Sequence, residues 1–274
     1  MTLLNAFAVR LSDGVLTPLA GLPALAVIGA AALVSALVVL GVMRWTSDQT
    51  ALTGVKRRIH AALLEMRLYN DDLPALLRAQ GEVLRHNLSY VGYSLVPLLI
   101  TAVPLTLLIA HLQAWYGYTG LTPGVPVVLT AVVEGDAADP LPRLDADGLE
   151  VRGPARYFPT LDEVTWRVVP RATGAATVRV VMPGGAVVEK SLHVAPGDVA
   201  ARRSPVRQRP ALVDQLLYPS EPPLEGGTGL VAVRVPYPGR TLGLFGWDVH
   251  WLYFYVGATF AFVLLLRKPL GVVI

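Results

Sequence analysis

Between residues 94 and 111 the sequence repeats a pattern that could do chemistry in an apolar setting. Ser94, Pro97, Thr101, Pro104, Leu108 and His111 recur at spacings of 3-4-3-4-3, which places them on one stripe of a helix. Each proline lacks a backbone N–H and deprives a carbonyl one turn earlier of its donor. In hydrocarbon, such carbonyls need hydroxyls, water or a neighbouring helix, so this stripe is expected to face another helix or a hydrated groove rather than lipid. Two readings fit it. One is a kinked packing face with no activity; the other is one wall of a polar groove that admits segments of another polypeptide. His111, at one end, is read as an interfacial residue rather than a proton relay or ligand. A second constellation, Lys56-Arg57-Arg58, sits on the polar face of an amphipathic stretch. It either fixes topology and touches anionic lipid or forms a docking face for a ribosome, a nascent chain or a partner subunit. The rest of the chain carries no metal-ligand spacing, phosphate loop or nucleophile elbow. His193 and His250 stand alone, and Asp162-Glu163 lie beside a strand start. No catalytic residue, metal or cofactor is expected, and the protein is not read as an enzyme.

The elements that must hold these residues follow from composition. The 274 residues are 53% hydrophobic and 16% charged, against about 25% charged in soluble domains. The absence of Cys excludes a disulfide-stapled scaffold, and the apolar content excludes intrinsic disorder. The apolarity is concentrated in three blocks. Pro23 to Met43 is 21 residues without a charge, roughly 31 Å as a helix and about one hydrocarbon thickness. The second block runs from Tyr90 to Trp115. The third, Val249 to Leu266, has Trp247, Trp251, Tyr253 and Tyr255 at its start, which suits an aromatic belt, and Arg267-Lys268 at its end. The first block is too long for a signal-peptide core and is read as a retained anchor. The preceding residues 1–20 are read as an interfacial segment.

Lysines and arginines in short flanking segments set orientation. The stretch from Arg44 to Asn87 holds seven, the N-terminal tail only Arg10, and the C-terminal tail adds Arg267 and Lys268. The loop and C-terminus are therefore expected in the cytoplasm, with the N-terminus and residues 116–246 outside. Net charge is +3 and gives no sign of specific nucleic-acid binding. The preference for Arg over Lys, with abundant Ala, Gly and Pro, suggests a GC-rich bacterial genome and hence a bacterial inner membrane.

The domain plan is thus 21–44, 90–115 and 247–267 as transmembrane helices, 45–89 as a cytoplasmic helical hairpin, 116–246 as an exterior domain and 268–274 as a tail. In the hairpin, Leu52, Val55, Ile59, Ala62 and Met66, then Leu73, Leu77, Leu84 and Leu88, supply apolar stripes for an antiparallel coiled coil. Asp71 or Asp72 caps the second helix, with Pro74 in its first turn. In the exterior domain, β-rich runs at 125–133, 164–169, 176–182, 186–194 and 230–236 are separated by turns at 145–148, 170–174, 183–185 and 196–198. Six or seven strands of this kind predict an all-β immunoglobulin-like sandwich with Trp166 in its core. Residues 210–218 are read as a short amphipathic helix on the membrane. The fold class is an α-helical membrane protein with this sandwich inserted.

The order of anchor, basic helical hairpin, second span, exterior segment and third span resembles the three-helix core of the YidC-like membrane insertase superfamily. The likeness is to its archaeal YidC-like members and the matching subunit of the endoplasmic-reticulum membrane protein complex. It rests on Pro97-Leu-Leu-Ile-Thr-Ala-Val-Pro104, on Gly246-Trp247 and Trp251-Leu-Tyr-Phe, and on Leu266-Arg-Lys-Pro-Leu-Gly271, covering about residues 20–115 and 244–274. The resemblance implies a groove between three helices, open to the cytoplasm and to lipid, whose polar side chains help a client's hydrophilic flank across. Several family members place a cation inside that groove. Here no charge lies within a span, and Arg44 at the cytoplasmic edge is the candidate for that role. The β-domain lies outside the minimal family pattern. The implied partners are membrane lipids and nascent or client membrane proteins. Two other roles stand beside insertion: an accessory subunit of a larger membrane complex, with the sandwich as interaction module, and a sensor whose sandwich binds an envelope ligand.

Overall fold

Four helices, α1 (Leu3–Leu19), α2 (Ala24–Thr46), α3 (Gln49–Leu68) and α4 (Leu73–Tyr116), occupy the N-terminal part of the described chain. A computed structural model describes residues 3–46, 49–68, 72–135, 140–195, 199–211 and 217–272, and the side chains of 3–8, 49–52, 75 and 94 lie outside that description. The turn at 196–198, most of the 210–218 segment and the cap candidate Asp71 fall outside it as well. Among the described residues, α2 and α4 are the two helices long and apolar enough to cross a membrane. The chain divides into two units, one of Met1–Ile28 with Leu107–Phe254 and the other of Gly29–Thr106 with Tyr255–Ile274.

In the second unit, α4 departs from the expected plan. The second hairpin helix and the second apolar block are one continuous helix of 44 residues, with Pro97 and Pro104 inside it. The boundary placed at residue 89 marked a change of polarity, and nothing there stops a helix. Asp72 takes the capping position, its carbonyl accepting the first helical bond from the Leu76 amide at 2.9 Å. Lys56 lies over the Tyr90 ring, 5.5 Å from its centroid, so the start of α3 sits beside the middle of α4, as in an antiparallel pair. On the α3 stripe Val55 and Ala62 are buried, and Ile59 and Met66 are half-buried. The α4 stripe differs. Leu73, Leu77, Leu84 and Leu88 are all exposed, and Ala79 is the buried residue, with Leu76, Val83, His86 and Tyr90 half-buried on the same face. The unit is completed by the later part of α5 (Trp251–Leu266).

In the first unit, eleven short strands among the described residues build the β-rich domain. β1 (Val127–Val133), β5 (Glu163–Pro170), β6 (Gly174–Val181), β7 (Val187–Val194) and β9 (Leu230–Arg234) match the alternating runs in the sequence. β2 (Arg143–Ala146), β3 (Leu149–Val151), β4 (Arg156–Phe158) and β8 (Val206–Gln208) are three or four residues long. One sheet runs β3-β5-β1-β9-β8, with β4 also on β5; a second runs β2-β6-β7. All pairings between these strands are antiparallel. The turn at 183–185 closes the β6–β7 hairpin, with Gly185 at φ 83°. The turn at 145–148 instead carries the chain from one sheet to the other. Both sheets contribute to one core, including Leu129, Val164, Trp166, Val168, Val178, Val188 and Leu230. Trp166 is 3% exposed, as its inward position in the alternation of β5 requires.

The hairpin of β10 (Thr241–Leu244) and β11 (Trp247–His250) precedes α5. Its turn, Phe245-Gly246, has both residues at positive φ (52° and 85°), the geometry that suits the right-handed twist of two-residue hairpins. Trp247, expected within the third apolar helix, therefore belongs to a strand, and the helix begins four residues later. The chain enters and leaves the β-domain at one place. Tyr118 bridges Gly239, the Thr119 amide donates to the Pro238 carbonyl at 2.9 Å, and the Arg240 amide donates to the Gly117 carbonyl at 3.0 Å. α1 is held to the same unit by an ion pair between Asp13 and Arg202 at 2.7 Å.

Candidate functional site

The second unit contains three apolar helical stretches, and among the described residues each has a buried hydroxyl. On α2 the buried face is made of small residues, Ala32, Ser35 and Ala36, followed by Leu40, all fully buried. Small side chains at that spacing let another helix approach closely. Ser35 Oγ lies 2.8 Å from the Ala31 carbonyl and 2.7 Å from the Tyr255 hydroxyl of α5. A serine has one hydroxyl hydrogen. With that hydrogen on Ala31, the Tyr255 phenol is the donor to Ser35. One turn later on α5, Thr259 donates back to the Tyr255 carbonyl at 2.8 Å. On α4, Thr101 is 4% exposed and its hydroxyl lies 2.9 Å from both the Pro97 and Leu98 carbonyls.

The prolines shape this part of α4. Without an N–H on Pro97 and Pro104, the carbonyls of Tyr93 and Ile100 lack their helical donors. Thr101 bonds to neither of them, so its hydroxyl does not repair the deficit. The stretch thus presents backbone acceptors beside a buried hydroxyl, in a helix whose Leu95, Val96, Leu98, Leu99 and Val103 are exposed.

The expected groove residues divide accordingly. Pro97 and Thr101 are buried within one turn of each other, and Pro104 is exposed one turn further on. His111 is buried in the other unit, and the Ser94 side chain is outside the described residues. Arg44 is exposed, and its guanidinium donates to the Leu270 carbonyl at 2.5 Å. There it closes the end of the third apolar helix. Beyond Leu266 the chain keeps helical bonds, Arg267 to Val263 and Leu270 to Leu266. It then ends in a Schellman pair, Gly271 to Lys268 and Val272 to Arg267, with Gly271 at φ 64°. Arg44 adds a cation to a C-terminal carbonyl, the favourable sign for a helix dipole. Of the docking candidates, Lys56 lies against Tyr90, while Arg57 and Arg58 are exposed. The Ser35–Tyr255 bond was not expected from sequence. Its one signal was the small-residue face of α2, which marks a close approach without naming the partner.

The β-domain holds buried cations that sequence analysis also passed over. Lys190 occupies an inward position of β7, between Val188 and Leu192, and is fully buried. Its ammonium is paired with Glu221 and donates to the Ser204 carbonyl at 2.6 Å. Burial pushes its pKa below the usual lysine range, against the opposing pull of Glu221. Arg203 and Arg240, also buried, both bond the Tyr118 and Val199 carbonyls, fastening the domain to the chain that leaves α4. The Tyr237 phenol accepts the His193 amide at 2.9 Å, and burial raises its pKa to about 12. Among the described residues no group of His, Cys, Asp or Glu could hold a metal ion. No protein-family model matches the chain, and no curated protein or solved structure matches it either.

Proposed function

We propose that the chain is an insertase-like membrane protein of the three-helix YidC-like type, assisting insertion or assembly of membrane proteins through a polar intramembrane groove. The observation that carries this reading is the set of inward hydroxyls, Ser35, Thr101 and Tyr255, one from each apolar helix and all uncharged. Polar side chains inside apolar helices are costly and are kept where they line a pathway or tie helices together. With Pro97 and Pro104 freeing two carbonyls nearby, they supply partners for a polar flank without an ionised group. The third span is read as α5, whose 16 residues make about 24 Å, with Trp251 and Tyr253 at one interface and Arg267-Lys268 at the other. The excess of Lys and Arg at 44–87 places the hairpin and C-terminus in the cytoplasm of a bacterial cell and the β-domain, read as an immunoglobulin-like sandwich, outside.

The test is site-specific photocrosslinking in cells, with the probe at Thr101 and at Ser94, combined with depletion of the protein. Crosslinks to nascent membrane spans and impaired insertion of small membrane proteins are expected. Absence of both in cells that make the protein abundantly would overturn the reading. A second reading, an accessory subunit of a larger membrane complex, is favoured by the outward leucines of α4. An apolar row of Leu73, Leu77, Leu84 and Leu88 on the part of the helix beyond the apolar block is the kind of surface a partner helix covers. A stoichiometric partner in every native preparation would select it.

A further inference from the structure

We propose that the outer face of the six-stranded sheet carries an anion-binding recess for a phosphate-bearing molecule with an apolar body. β3 and β4 pair with the same strand, Val151 opposite Val168 and Arg156 opposite Thr165, and the Arg152 amide donates to the Arg167 carbonyl at 2.8 Å. Three residues, Gly153 to Ala155, therefore face the single Trp166, and the chain loops out. Gly153 makes the loop possible with φ 83°. This bulge draws together two arginines four apart in sequence, since Arg152 and Arg156 sit opposite positions only two apart on β5. Opposed residues share a face of the sheet. Trp166 and Val168 take the inner face, so Arg152, Arg156 and Arg167 share the outer one. They border a recess of about 480 Å³, with Pro126, Val128 and Phe158 completing its walls.

The charges around it do not cancel. Glu150 is shared by Arg152 at 3.2 Å and Arg171 at 3.6 Å, and Glu163, on the same face, is taken by Arg234 at 2.9 Å. Arg156 and Arg167 are in no ion pair among the described residues. Three guanidinium groups around one opening, with one shared carboxylate, suit a multiply charged anion better than a single carboxylate. Guanidinium forks bind phosphate oxygens two at a time. Val128 and Phe158, 44% and 45% exposed, offer apolar surface beside the cations, so the ligand is a phosphate attached to an apolar or planar group. An anionic lipid headgroup and a soluble phosphate ester share that chemistry. The recess volume is within the range that holds a small molecule.

The test uses the full chain in phosphatidylcholine nanodiscs, titrated calorimetrically with phenyl phosphate and with dihexanoyl phosphatidic acid. Saturable binding is expected, weakening about tenfold in R156Q and again in R167Q and falling as salt is raised. R143Q, an exposed arginine of the other sheet, is expected to leave it unchanged. Tighter binding of the phosphatidic acid identifies a lipid headgroup, and equal binding identifies a soluble phosphate ester. Both substituted side chains are exposed, so circular dichroism is expected to report an intact fold. Failure of both probes to bind at millimolar concentration, or binding that survives both substitutions, overturns the proposal.

Discussion

The hydrogen bond between Ser35 and Tyr255 makes a quantitative test of how the apolar helices are held. Both oxygens are buried, at 2.7 Å, and Ser35 also contacts the Ala31 carbonyl. Ser35→Ala removes one acceptor from a buried phenol, at a cost of about 1–3 kcal/mol. Tyr255→Phe removes the donor instead, while Ser35 keeps its own bond to Ala31. That loss is expected to be smaller, about 0.5–1 kcal/mol, in keeping with interhelical bonds measured in bilayers. The double variant strands no polar group, so it is expected to be less destabilised than the sum of the two, with a coupling of about 0.5–1.5 kcal/mol. Reversible unfolding in mixed micelles, followed by helical circular dichroism, measures all four proteins. Additive single effects would show that the two hydroxyls are not bonded. A larger loss for Tyr255→Phe than for Ser35→Ala would refute the assignment of donor and acceptor.

Three further outcomes are expected. Trp166→Ala, in the shared core of the two sheets, should cost about 3–5 kcal/mol and unfold the β-domain before the helices, as seen in calorimetry of the full chain. Arg44→Ala should lower helix stability by about 1 kcal/mol, because the Leu270 carbonyl loses a charged donor at the helix end; Arg44→Lys should restore part of it. Tyr237 gives a pH dependence at the alkaline end. Its pKa is raised to about 12 in the folded protein, so the stability it contributes is complete below pH 10 and falls by about 2–3 kcal/mol as pH rises through 12. In Tyr237→Phe, chemical denaturation across that range should show a lower starting stability, by about 1 kcal/mol, and a flatter alkaline decline.

The long, strongly patterned elements were legible in the sequence because one physical signal dominates each. β5 and β7 alternate cleanly, Trp166 falls on the inward phase, and Pro183-Gly-Gly185 can do little but turn. α2 is apolar enough to define its own length. β2, β3, β4 and β8 were not legible, since three or four residues carry no period and are recruited by the strands beside them. The hairpin exposed a different limit. Periodicity finds an apolar stripe on α4, but α4 has a second, less apolar face around Ala79, and that face is the more buried one. Trp247 was assigned by hydropathy to a helix, when Gly243, Gly246 and Asp248 around it favour a turn and a strand. At the candidate site, Pro97 and Thr101 were found from spacing, since both lie on one helix. Tyr255 was missed as the partner of Ser35 because the 220 residues between them carry no local trace of their contact. Lys190 was readable as an inward position of β7, but only the structure supplies Glu221, which makes such a position tolerable.

The bridge from Tyr118 to Gly239 has a consequence for how this chain can vary. Chain leaves the helices and returns to them at one doorway, closed by backbone hydrogen bonds. Between Gly117 and Arg240, roughly 120 residues thus start and end at one point, as a short turn would. The entropy of closing that long segment is offset inside the domain by its own core. Within its own unit the β-domain can therefore vary in the length of its loops while the two chain ends that meet at Gly117 and Arg240 stay together.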